Sequence, residues 1–329
     1  MARSYYLQTH STDPAYNLAF EEYVLKNCRK GDWLILWQNR NAVIVGRNQN
    51  ALEEINRDFV QAHGIKVIRR NTGGGAVYHD MGNLNYSFIT DDDPSSPAAS
   101  RFTQPVVDAL KALGLDAEAS GRNDILVSGC KVSGTAQHRS NGRILHHGTL
   151  LFDSNADMIA GSLNPDPTKF QSKSVKSVRS RVGNIRAFLK ADMTLTAFWA
   201  YLETALISGG ITPTTLPQDA MAEILALKNE KYDTWQWNYG ASPKFDTCIR
   251  RRWSGGLLEI HLTVVHGQIQ SVAIYGDFLA LTPMDGLIRA LTGCSYNREA
   301  ISGVLQNFNL HACLGGITEE EFLTTILGS

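Results

Sequence analysis

Two hydrophobic periods alternate along the chain. From Ala15 to Cys28, the apolar residues Leu18, Ala19, Phe20, Tyr23, Val24 and Leu25 recur at helical spacing. Asp13–Pro14 stands in front of them as an N-cap followed by a first-turn proline. Glu21 and Glu22 fall between these positions and are expected at the helix's solvent margin. The same period predicts helices over Leu52–His63, Arg101–Leu113, Ala191–Leu206 and Ala220–Lys228. Short β-rich runs predict strands at Ser4–Leu7, Trp33–Gln38, Ala42–Val45, Lys66–Ile68, Leu84–Thr90, Ile125–Val127 and Arg143–Leu151.

Strands separated by helices in mixed order imply an α+β fold with a mixed, hairpin-rich sheet, not an alternating parallel array. Trp33–Gln38 and Ala42–Val45 read as two strands around the turn Asn39-Arg40-Asn41, and a glycine turn links Lys66–Ile68 to Leu84–Thr90. Trp235 to Pro243 reads as a Gly/Pro linker. Three more strands follow, at Cys248–Trp253, Leu257–Val265 and Ile269–Tyr275, then helices near Pro283–Leu291, Arg298–Leu305 and Glu319–Leu327. A chain of 329 residues exceeds one ordinary core. The expected division is a large unit of residues 1–243 and a small α+β unit of residues 244–329.

Charge narrows the partners. With 31 basic against 32 acidic side chains, the chain lacks the basic excess of a nucleic-acid binder. Its five cysteines are scattered, odd in number and without a CxxC pair, which fits a reducing compartment. No secretion signal is evident, and no apolar run approaches the roughly 18 residues of a membrane span. A cytoplasmic location is expected, with neither nucleic acid nor membrane as partner.

The most distinctive stretch is Arg69-Arg70-Asn71-Thr72-Gly73-Gly74-Gly75-Ala76-Val77-Tyr78-His79-Asp80. Three glycines without Cβ atoms let backbone N–H groups close on a ligand, and two arginines suit an anion. A plain hairpin turn with a basic flank is the alternative. The Asn-rich run Val45-Gly46-Arg47-Asn48-Gln49-Asn50 is equally a loop or a ligand-facing edge. Lys169 to Arg186 carries six basic residues among serines, and by charge pattern alone it reads as a solvated loop. P-loop, GxGxxG, HExxH and GxSxG motifs are absent. Ser128-Gly129-Cys130-Lys131 satisfies SxxK without its companion motifs. His146 and His147 point to opposite faces of a strand, one to the core and one to a pocket, so they do not form a metal pair. Cys130 reads as a small buried filler rather than a nucleophile.

Taken together, the glycine string, Gly121-Arg122-Asn123-Asp124, Lys131-Val132-Ser133-Gly134-Thr135-Ala136 and His146-His147-Gly148-Thr149-Leu150 resemble the lipoate–protein ligase family. Ser177-Val178-Arg179-Ser180-Arg181-Val182 and the Trp-x-Trp-Asn-Tyr-Gly at Trp235 extend the match across most of residues 13–243. The resemblance implies a large domain of the biotin/lipoate ligase (class II synthetase-like) type and a small accessory domain. It also implies a two-step reaction in which lipoate and ATP give lipoyl-adenylate, and the acyl group then passes to a lysine of a lipoyl-domain protein. Acceptors implied are E2 subunits of 2-oxoacid dehydrogenases and the glycine cleavage H protein.

Residue roles follow from the same resemblance. Lys131 is the candidate catalytic group, bridging the lipoate carboxylate and the α-phosphate as a point charge. ATP or the adenylate would be held by Arg70, Gly75, Ala76, Val77, Tyr78, Lys131, Asn123, Asp124 and, from the basic loop, Ser177, Val178 and Arg181. Lipoate would contact Arg70, Gly73, Gly74, Gly75, His79, Lys131, Ser133, Gly134, His147 and Gly148. Asp124, with Asn123 beside it, would hold Mg²⁺. Two rivals share the fold: an ATP-independent octanoyl- or lipoyltransferase that needs a thioester cysteine, and a lipoate-binding protein without turnover.

Overall fold

The computed structural model describes residues 4–93, 98–121, 123–164, 182–206, 212–239 and 247–327. Pro14 opens the first helix, Pro14–Asn27, and the Asp13 side chain accepts from Ala15 N at 3.4 Å. This helix is buried through most of its length, between the main sheet and the segment containing helix Ala220–Leu227. Glu21 and Glu22 are therefore not at a solvent margin: each is only 4% exposed. Packing on two sides removed the wet face that a single amphipathic period assumes.

The strands in chain order are β1 (Ser4–Gln8), β2 (Asp32–Trp37), β3 (Ala42–Val45), β4 (Lys66–Arg69), β5 (Val77–His79), β6 (Asn83–Asp91) and β7 (Ala117–Ser120). Then come β8 (Asp124–Val127), β9 (Cys130–Ser140), β10 (Arg143–Leu151), β11 (Thr212–Pro213), β12 (Thr247–Trp253), β13 (Gly256–Val265) and β14 (Gln268–Gly276). Eight form one mixed sheet in the order β11-β1-β2-β6-β10-β9-β8-β7, parallel at β11-β1-β2 and antiparallel beyond. Alternation gives this sheet two cores. Leu34, Leu36, Tyr86 and Phe88 face Val106, Phe198 and Leu202 on one side, while Ile35, Trp37 and Ile89 face the first helix on the other.

The expected hairpins around the glycine turn do not form. β3 leaves β2's sheet and is flanked by β4, parallel, and β5, antiparallel, in a separate three-stranded sheet. Val43 and Val45 pack there with Ile55, Val60 and Val67, a core of its own that draws β3 away. The glycine turn thus crosses over β3 from β4 to β5. Leu52–His63 is likewise two helices, Ala51–Glu54 and Arg57–Ala62, because Asn56 caps the second by accepting from Phe59 N at 3.2 Å. Trp235–Asn238, expected within a linker, is a short helix packed against β4.

β12-β13-β14 form an antiparallel meander. One face carries Leu258, Ile260 and Leu262 against Phe278, Ile301 and Phe322, a core contributed largely by the helices after β14. Main-chain bonds tie this unit to the large one: Gly74 N donates to Phe278 O (3.1 Å), Gly276 N to Asn48 O (2.6 Å) and Arg139 N to Leu281 O (2.8 Å). Among the described residues, no helix is long and apolar enough to cross a membrane.

Candidate active site

The glycine turn is set by close approaches that no side chain would tolerate. A Cβ on Gly46 would lie 1.9 Å from Gly74 O, and one on Gly73 would lie 2.6 Å from Phe278 O. Gly74 has φ +87°, a conformation side chains resist. A Cβ added to Gly75 would meet no heavy atom within 4 Å, since that position faces the open cavity.

The two arginines hold this turn from behind. Arg70, 6% exposed, donates from Nη2 to Gly73 O (2.7 Å) and Gly75 O (2.8 Å), from Nη1 to Ile44 O (3.0 Å) and from Nε to Thr72 Oγ1 (2.9 Å). Arg69 donates to the carbonyls of Gly46, Arg47, Gln49, Trp237 and Asn238. The expected fork toward an anion is thus, in this structure, a pair of cations neutralising backbone dipoles. Burial lowers each guanidinium to about 10, which still leaves both charged at neutral pH.

The turn walls a cavity of about 640 Å³. Of the sequence-predicted residues, Arg70, Gly74 to His79, Asn123, Asp124, Lys131, Ser133, Gly134, His147 and Gly148 all line it. Gly73 does not: it is the anchor against Phe278. Ser177, Val178 and Arg181 lie outside the described residues, with the rest of 165–181. Val182, which follows them, is on the cavity wall, and Gly183 N donates to Lys131 O at 2.9 Å.

The inner wall is a chain of buried hydrogen bonds. Thr72 Oγ1 meets His147 Nε2 at 2.8 Å, and His147 Nδ1 meets Glu21 Oε1 at 2.9 Å. Ser87 donates to Glu21 at 2.5 Å, and Trp37 Nε1 donates to Ser87 at 2.8 Å. Every residue in it is less than about a tenth exposed, so each polar group needs the next. Register places Ser87 opposite His147 on one face of β6 and β10, and Phe88 opposite His146 on the other. His146 stacks on Phe102 with ring centroids 5.1 Å apart, away from the cavity. His79 rests against Asn39 at 3.1 Å. Burial first, then the charge of Arg70, pushes His79 down to about 3, so it is neutral. Buried Leu18, Trp37 and Ile44 make the rest of this end apolar.

The outer edge differs. Ser128 and Gly129, at φ +49° and +79°, form the tight turn between β8 and β9, and Ser128 is an exposed turn residue that does not line the cavity. A register shift at Ile125–Leu126 brings Asp124 opposite Gly134 and Leu126 opposite Lys131. Lys131 Nζ then pairs with Asp124 Oδ1 at 2.7 Å, with the two side chains 39% and 34% exposed. Asn123 Nδ2 donates to Thr135 O at 3.1 Å, fixing the approach to Asp124. Cys130, expected to be buried, is half-buried and does not line the cavity.

Sequence reasoning missed Glu21, which backs His147, and the small unit's contribution. Arg252 and Asp277, paired at 3.3 Å, line the cavity from β12 and the end of β14. The run Arg250-Arg251-Arg252 was a usable signal for the latter. Nothing local marked Glu21.

Residues 13–207 match the model of the lipoyl protein ligase A/B catalytic domain, and residues 242–326 match that of the bacterial lipoate protein ligase C-terminus. The chain is 43% identical over 320 residues to the lipoate-protein ligase LplJ of Bacillus subtilis, covering 95% of this chain and 97% of that one. Among solved structures, P. falciparum LipL1 in complex with lipoate superposes with a TM-score of 0.79 at 27% identity, over 99% of this chain and 100% of that one. A lipoate-protein ligase A bound with ATP gives 0.61 at 29%, over 73% and 98%. The bipartite ligase of Thermoplasma acidophilum, described with its E2 lipoyl domain, gives 0.62 at 30%, over 75% and 99%.

Proposed function

We infer how this pocket works from one premise: the chain belongs to the lipoate–protein ligase family and is an ATP-dependent enzyme that joins lipoate to protein. Lipoate and ATP give lipoyl-adenylate and pyrophosphate, and the lipoyl group then passes to a lysine of a lipoyl-domain protein. One observation supports the assignment of roles within the site. A single cavity has a largely apolar end backed by a buried hydrogen-bonded chain and a charged, half-exposed edge, and the glycine turn's backbone lies in its wall.

The lipoyl chain would lie against Leu18, Trp37, Ile44 and His79, with the Glu21–His147–Thr72 chain holding that wall rigid. Its carboxylate then reaches Lys131. Attack on the α-phosphate joins two anions, and the ammonium of Lys131, aimed by Asp124, offsets that repulsion without being a competing nucleophile in its protonated form. Main-chain N–H groups of Gly75 to Tyr78 would hold the nucleotide, while Arg70 keeps them in place from behind. Ser177, Val178 and Arg181 would close over the adenylate; Val182 on the wall and the Gly183 bond to Lys131 bring the end of their segment to the site. The small unit adds the Arg252–Asp277 ion pair to the wall.

Asp124 would also hold Mg²⁺. One carboxylate beside an asparagine on the wall suits a hard cation whose other positions go to phosphate and water. When bound, the cation would supply neutralisation of the phosphates. The division at residues 243/244, acceptors among E2 subunits and the glycine cleavage H protein, and a cytoplasmic location complete the reading. Against a thioester-forming transferase stands Cys130, packed by Gly183 outside the cavity.

The test is lipoate-dependent pyrophosphate release from ATP, with and without an acceptor lipoyl domain. Release that requires Lys131 supports the role assigned to it; undiminished release from Lys131→Ala refutes that role. Acyl transfer from a carrier thioester without ATP would instead favour the transferase.

A further inference from the structure

The second face of the small unit's sheet carries a cluster that the ligase reaction does not use. Ile249 and Trp253 pack into the small core, so alternation sends Cys248, Arg250 and Arg252 to the opposite face. On β13, Leu258, Ile260 and Leu262 face that core, leaving Glu259 and His261 beside them. The register makes Cys248 the cross-strand partner of His261, and Arg250 that of Glu259.

Three donor atoms converge there. His261 Nε2 lies 3.3 Å from Cys248 Sγ and 2.5 Å from Glu259 Oε1, and one ligand atom from each residue falls within 4.8 Å of the others. Glu259 is a carboxylate only 3% exposed, between Leu258 and Ile260 of the small core. A single ring nitrogen offers either one hydrogen or one lone pair, so it serves a carboxylate and a sulfur poorly at the same time. A divalent cation among the three satisfies all of them. Thiolate, imidazole and carboxylate together select a borderline transition metal over Mg²⁺ or Ca²⁺.

We propose that Cys248, Glu259 and His261 form a binding site for a divalent transition-metal ion of the Zn²⁺ type, three-liganded by protein with one position left for water. Arg250 Nε, 3.7 Å from Glu259 Oε2, orients the carboxylate from its far oxygen. The ion ties the beginning of β12 to β13, at the edge of the sheet away from Arg252 and the cavity. The site is independent of the adenylation chemistry.

The test is a cobalt titration of the full-length chain without ATP, which would itself chelate the metal. One equivalent of Co²⁺ is expected to give a thiolate-to-cobalt charge-transfer band and the intense visible absorption of four-coordinate cobalt, both bleached by Zn²⁺. Cys248→Ser loses the charge-transfer band, and His261→Ala weakens binding by at least the roughly 10–100-fold that even outer partners of a metal site are worth. Cys294→Ser, elsewhere in the same unit, changes neither. No band at one equivalent, or a band that survives Cys248→Ser, overturns the proposal. Should Cys248→Ser fail to fold, alkylation of the wild-type chain decides: Zn²⁺ slows modification of exposed Cys248 under the proposal, and an unchanged rate refutes it.

Discussion

The cavity's two ends use polar residues for opposite purposes. At the inner end, Arg70, Thr72, His147 and Glu21 are buried and bonded to one another, so their energy goes into shape. At the outer edge, Lys131 and Asp124 share one half-exposed contact, which water screens. A buried network is costly to break and fixes geometry. An exposed pair contributes little to folding and stays free to exchange partners when substrate arrives. The contrast predicts that stability and catalysis separate along the cavity.

Lys131→Ala should show the largest effect. Pyrophosphate release is expected to fall by about 10²–10³-fold, as for loss of one transition-state donor, with a urea midpoint close to wild type. A large loss of stability alongside would mean that the outer pair is structural after all. Thr72→Val tests the inner end. It keeps the shape but strips the hydroxyl from Arg70 Nε and His147 Nε2, leaving buried groups unpaired at a cost of about 1–3 kcal/mol in urea unfolding. Unchanged stability with lost activity would erase the distinction between the two ends.

A pH series sharpens the comparison further. Burial pushes His79 and His146 down to about 3, whereas unfolded histidine titrates near 6.5. Between those values the unfolded chain binds more protons, so stability falls as pH drops below about 6.5, by up to roughly 1.4 kcal/mol per unit for each histidine. His146→Asn, on the face away from the cavity, should remove one proton's worth of slope and leave lipoate-dependent turnover alone. An unaltered slope would show that His146 is not held neutral. The smallest effect belongs to the rim: Arg47 pairs with Asp285 across the two units at 3.1 Å, and Asp285→Asn should shift unfolding by no more than about 1 kcal/mol. A larger shift would make that contact a latch between the units.

Much of the outer edge and the turn was legible locally. Gly73-Gly74-Gly75 announces a backbone able to close on a ligand; Gly74 and Gly75 lie on the cavity wall, whereas Gly73 makes its close approach to Phe278 O instead. The strand pattern at His146-His147 separates a core ring from a cavity ring, because side-chain direction on a strand follows from period two alone. The basic pair Arg69-Arg70 was legible as charge but not as destination. Besides the Thr72 hydroxyl and the nearby carbonyls of Gly73 and Gly75, its partners are carbonyls from residues 44 to 49 and 237 to 238, which only folding brings to it.

The amino-acid sequence by itself determined the approximate place of most of the longer helices and strands, that the two histidines of β10 take opposite faces, and which short motifs travel together. Tertiary structure alone decided that β3 would leave β2's sheet and that Glu21 would back His147. It also decided that Arg252 would reach the cavity from the small unit. Local period reports one buried face per element, whereas a segment covered on two sides, or a pair closed across 126 residues as Glu21 and His147 are, is chosen by packing over the whole chain.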